Sequence, residues 1–143
     1  MEYRKFGQDY AVRINRGEEI LECLEQVCRE ENIRLGYLSG LGAVGEVTLG
    51  VFDREDFRYK TKTFQGDYEI ASCNGNITSM NGNTYLHVHM VVSNTETGEC
   101  HGGHLNRGEV SLTGEFFLHA MEGDVDREYS DEVGLNLMKF TDR

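Results

Sequence analysis

Seventeen glycines and not one proline punctuate these 143 residues. With no proline to set turns, glycine must provide most of the chain reversals. They come densely: Asn15-Arg16-Gly17, Ser39-Gly40-Leu41-Gly42, Asn74-Gly75-Asn76, Asn81-Gly82-Asn83, Thr95-Glu96-Thr97-Gly98 and Asn106-Arg107-Gly108. Asp53-Arg54-Glu55-Asp56 adds a polar turn. The runs between them are short and read as strands: 10–14, 33–38, 46–52, 68–73, 85–93, 99–105 and 110–121, with a last candidate at 133–140. A chain that reverses this often builds hairpins, so the sheet is expected to be antiparallel.

One segment follows a different period. Ile20, Leu21, Leu24, Val27 and Cys28 recur at helical spacing, with Glu22, Glu25, Arg29 and Glu30 opposite them. Glu18, Glu19 and Glu22 place negative charge at the favourable N-terminal end. The spacing predicts one amphipathic helix over 18–32. The fold class is therefore α+β: a hairpin-rich antiparallel sheet with a barrel-like core and one helix. Residues 1–143 are expected to form a single domain.

Charge narrows the partners. Fourteen Lys and Arg against 25 Asp and Glu leave a net charge of −11. Nucleic-acid binding rests largely on Lys and Arg neutralising phosphates, so this field argues against DNA as a partner. No apolar run approaches the roughly 20 residues of a membrane helix, and no secretory signal follows Met1, so the cytoplasm is the expected location. The four cysteines form no Cys-x-x-Cys pair. Cys23 and Cys28 sit about 140° apart on the helix and are poor disulfide partners. Four reduced thiols in or near the core are expected. Cys100 offers a soft ligand but reads more economically as a small buried residue beside the 95–98 turn.

The chemistry concentrates in one stretch. His87 and His89 lie two apart in a strand, so their side chains share a face, while Leu86, Val88, Met90 and Val92 face a core. Taken alone, His-x-His is more often a polar strand face than a ligand pair. The 95–98 turn, however, returns the chain beside it, and Gly102-Gly103 permits close backbone approach to deliver His104. Three imidazoles with an open fourth position suit a catalytic or ligand-binding zinc rather than a closed structural site. His101 lies an odd number of residues from His104 and should face away. His119 reads as a hydrogen-bonded surface histidine. The charged stretch Asp124-Val125-Asp126-Arg127-Glu128 reads as a solvated turn.

Four segments together resemble the plant and prokaryote conserved (PPC) domain: Gly17-Glu-Glu-Ile20, Leu38-Ser-Gly-Leu-Gly-Ala-Val-Gly-Glu-Val-Thr-Leu49, Tyr68-Glu-Ile-Ala-Ser-Cys-Asn-Gly-Asn-Ile77, and Leu86-His-Val-His89 with Gly102-Gly-His-Leu105. The likeness runs in family order over about residues 3–121. It implies a homotrimer, with His87, His89 and His104 as ligands of a metal, usually zinc. It also implies a distant likeness in fold and metal site to acetolactate decarboxylase. The family's DNA-binding label is tied to plant members with AT-hooks, whose Arg-Gly-Arg-Pro core this proline-free chain lacks.

Secondary candidates accompany the trio. Glu69 and Glu115 match acidic strand positions of the family and offer a general base beside a zinc-bound water; the alternative is two strand-surface glutamates. Arg107 offers a contact for an anionic ligand or is an exposed turn arginine. Three functions stay open: a trimeric metal-site protein binding or acting on a small molecule, a DNA-associated regulator, and a structural trimeric module. The sequence does not decide whether the chain is an enzyme.

Overall fold

The computed structural model describes residues 1–141. The helix, α1 (Ile20–Glu30), buries Ile20, Cys23, Leu24, Val27 and Cys28 along one side. It is shorter than the predicted 18–32 because both ends are capped. Glu19 accepts a hydrogen bond from the Glu22 amide at 2.8 Å and another from the Gly108 amide at 2.8 Å. The same carboxylate thus caps the helix and ties it to the sheet. At the other end Asn32 takes a left-handed conformation (φ 53°), and the amide of Ile33 donates to Cys28 O at 2.8 Å. This is a Schellman-type stop, which buries Ile33 against the core.

The remainder is mostly antiparallel sheet: β1 (Glu2–Phe6), β2 (Asp9–Asn15), β3 (Gly36–Asp53), β4 (Arg58–Met80), β5 (Asn83–Asn94) and β6 (Glu99–Ala120), in the order β1-β2-β6-β3-β4-β5. β5 also pairs with β6, so β3, β4, β5 and β6 hydrogen-bond in a ring. A small separate hairpin follows, β7 (Asp126–Ser130) with β8 (Leu135–Lys139). The α+β expectation holds in this form, with the sheet dominant and α1 packed on β6 and β5.

Three predicted breaks do not occur. The chain runs on through 39–42, 74–76 and 106–108, so five expected strands are absorbed into the long β3, β4 and β6. The glycines there serve close approach and bulging rather than reversal. A Cβ on Gly40 would lie 2.1 Å from the Phe116 ring, so glycine lets β3 cross the buried Phe116 of β6. Register shifts at Gly40/Gly42, Val44/Glu46 and Thr48/Leu49 bend the long strands where the sequence suggested they end.

The core lies between α1 and the inner face of the sheet, with Ile14, Leu24, Leu38, Ile77, Val88, Met90, Leu105 and Phe116 among its members. Cys23, Cys28 and Cys73 belong to it as free thiols, and burial pushes Cys28 and Cys73 up to about 12. Cys100 corrects the expectation: it is exposed. On β6 it shares the outer face with Gly102 and His104, while Leu105 takes the inner one. The stretch 124–128 is a second correction. It leads into β7, and Arg127 is only 7% exposed rather than solvated. No helix among the described residues is long and apolar enough to cross a membrane.

Candidate metal centre

The ring of strands assembles the three histidines. His89 and His104 are direct partners across β5 and β6, and His104 is also the partner of Gly50 on β3. His104 therefore sits where the ring closes. Closure needs Gly103, because a Cβ there would meet Gly50 O at 2.7 Å. His87 lies two residues from His89 on the same face, opposite Asn76 of β4. On the opposite face of the same strand, Val88 and Met90 fill the core, as its alternation predicts.

One ring nitrogen from each of His87, His89 and His104 lies within 4.8 Å of the other two. The Nε2 atoms of His87 and His89 are 3.1 Å apart. Two ligands about 2.05 Å from a tetrahedral ion are separated by about 3.3 Å, so this spacing suits a shared ion. Tyr59 packs its edge against the His104 ring, with centroids 5.3 Å apart. Burial, then the neighbouring His87 and His89, hold His104 down at about 4. Burial, His89 and the charge of Arg127 lower His87 as well. Both rings are therefore neutral near pH 7, with lone pairs available to a cation. The donor set fits a transition-metal ion.

The trio forms the floor of a cavity of about 770 Å³. From His89 toward its start, β5 pairs only with β4, which leaves its other edge open. The β7–β8 hairpin closes over this side, contributing Arg127, Tyr129, Leu135, Asn136 and Leu137. A backbone hydrogen bond from Ser79 N to Val125 O, 3.0 Å, secures its approach to β4.

The remaining candidates lie elsewhere. His101 stacks on Phe64 at 3.8 Å between centroids, on the inner side of β6 as its odd spacing implies. His119 donates to Asp9 Oδ1 at 2.6 Å and stacks on Tyr37. Glu69 and Glu115 are exposed strand residues and do not line the cavity. Arg107 also lies outside it, between Glu109 at 3.2 Å and Glu46 at 3.5 Å. The cavity arginine is Arg127, which the sequence reading placed in a solvated turn. Flanking acids on both sides gave no local sign of its burial.

Solved structures share this arrangement of strands. A Bacteroides thetaiotaomicron protein provisionally described as DNA-binding is 37% identical, with 97% of this chain and 96% of that one covered and a TM-score of 0.93. A metal-containing protein from Archaeoglobus fulgidus is 27% identical over 97% of each chain, with a TM-score of 0.87. Acetolactate decarboxylase from Bacillus subtilis is similar in fold alone: 15% identity, 78% of this chain, 52% of that one, and a TM-score of 0.53. No curated protein matches the chain. Residues 1–122 match the Plants and Prokaryotes Conserved (PCC) domain, the family already suggested by the glycine and histidine motifs. With its sequence match, its ring of strands and close structural relatives in agreement, this chain belongs to the Plants and Prokaryotes Conserved domain family.

Proposed function

We propose that His87, His89 and His104 hold one divalent metal ion, zinc, with a coordination position open toward the cavity for a small-molecule ligand. The observation that carries this reading is the convergence of three imidazole nitrogens within 4.8 Å on the cavity floor. The metal-containing relative from Archaeoglobus fulgidus supports it. When bound, such an ion acts as a Lewis acid toward a ligand oxygen. The protein's own part is to fix three neutral imidazoles on paired strands, with the barrel-like ring as a rigid frame. In this reading residues 1–143 act as one domain in the cytoplasm.

The test is metal content by mass spectrometry of untagged protein. Wild type is expected to carry one equivalent of zinc, and His89→Ala to lose most of it. Equal retention in both would refute the assignment.

The proposal extends to a homotrimer. Leu41, Leu112 and Phe117 are 59%, 70% and 65% exposed, an apolar surface that a second copy can cover. Light scattering is expected to give three times the 16.2 kDa chain mass. A second reading, a DNA-associated regulator, draws on the provisional description of the Bacteroides relative. The net charge of −11 weighs against it. Saturable, salt-sensitive micromolar binding to an A·T-rich duplex would promote that reading.

A further inference from the structure

The cavity contains a cation whose hydrogen bonding is incomplete. Arg127 is 7% exposed. Its Nε donates to Thr78 Oγ1 at 2.7 Å and its Nη1 to Asn136 O at 2.8 Å. The guanidinium lies 4.6 Å from the centre of the Tyr85 ring. These contacts fix the plane of the group, yet Nη2 is buried without a hydrogen-bond partner among the described residues. A buried charged donor left unpaired is costly, and proteins seldom keep one without a use.

The surroundings indicate what completes it. Arg127 lines the same cavity as the three histidines, and its charge reaches His87. Among the described residues lining that cavity there is no Asp or Glu, although the chain carries 25 of them. An acidic protein has thus kept one concave surface free of carboxylates and placed a fixed guanidinium there. Phe52, Tyr59, Leu135 and Leu137 add apolar wall.

We propose that Arg127 Nη2 binds the carboxylate of a small organic acid, whose second oxygen faces the metal centre and whose apolar part lies against the Phe52 and Leu137 walls. This rests on the metal reading above. A planar carboxylate suits the one unpartnered nitrogen of this guanidinium, whereas a phosphate dianion would leave further oxygens without donors. Arg127 lies beyond residue 122, where the family match ends, so this contact is a property of the hairpin rather than of the matched domain.

Calorimetric titration of the zinc-loaded full chain with pentanoate, pentan-1-ol and inorganic phosphate tests the assignment. Pentanoate is expected to bind saturably, and the uncharged alcohol and phosphate at least about tenfold more weakly. Arg127→Gln is expected to weaken pentanoate about 10- to 100-fold, the range of a charged hydrogen bond, while retaining one equivalent of zinc. Arg127→Lys should recover part of the affinity. Because Arg127 also holds the hairpin, wild-type protein provides a second readout: the side-chain N–H resonances of Arg127 should shift with pentanoate and not with pentan-1-ol. Full zinc content with no pentanoate binding, with binding indifferent to Arg127, or with tighter phosphate binding overturns this inference alone. Absence of zinc from wild type overturns the metal reading and this inference with it.

Discussion

The two walls of the cavity are built on different principles. The floor belongs to β3, β5 and β6, long strands underlain by the core; β6 is paired on both sides at His104, and β5 on both sides from His89 onward. The opposing wall is the two-stranded β7–β8 hairpin, joined to the rest by a few contacts such as Ser79 to Val125 and Arg127 to Thr78. A strand paired on both sides cannot shift without breaking many bonds at once, so it can hold ligand atoms at fixed separations. A hairpin attached by a few bonds opens at lower cost. The three histidines stand on the rigid wall and the guanidinium on the movable one.

The largest effect should come from damage to the floor. Phe116→Ala removes a buried ring that β3 crosses at Gly40. A loss of about 3–5 kcal/mol is expected in chemical denaturation, together with weaker zinc retention. If stability falls and zinc content does not, the floor holds its histidines independently of the core packing beneath it.

A smaller and more local effect is expected in the hairpin. A Cβ on Gly134 would lie 2.7 Å from Phe57 and 2.8 Å from Phe52, at φ +78°, which disfavours any side chain. Gly134→Val should raise hydrogen exchange across 126–139 and leave exchange in β5 and β6, and zinc content, unchanged. Spread of the effect into β6 would show that the two walls are one cooperative unit.

The smallest expected effect concerns pH in the metal-free protein. An unfolded histidine takes up its proton near pH 6.5, while folded His104 resists until about 4. The unfolded state therefore binds more protons in that interval. The contribution of His104 is complete above about pH 6.5 and declines as pH falls toward 4. The melting temperature of wild type should fall across this window more steeply than that of His104→Gln. Parallel curves would mean that the His104 ring is not desolvated on the cavity floor.

The two walls also differ in how far they could be read in advance. Helix α1 and the pairing of His87 with His89 are local patterns, one set by the 3.6-residue turn and the other by the two-residue pleat. Even the exclusion of His101 followed from parity. The lengths of β3, β4 and β6 did not, because a glycine that ends a strand and one that lets a neighbouring strand pass close look alike in sequence. Cys100 was misplaced for a related reason: its burial depended on which face of β6 the turn at 95–98 presented.

Local chemistry in the sequence by itself determined the helix, the shared face of His87 and His89, and the candidacy of His104 after Gly102-Gly103. Family membership was also legible there, since ordered motifs carry it. Tertiary structure alone decided that β3 to β6 pair in a ring, which of the other charged residues share the cavity, and that Arg127 is buried. The reason is separation along the chain. Arg127 meets Thr78 across 49 residues, and no periodicity within either segment encodes that contact.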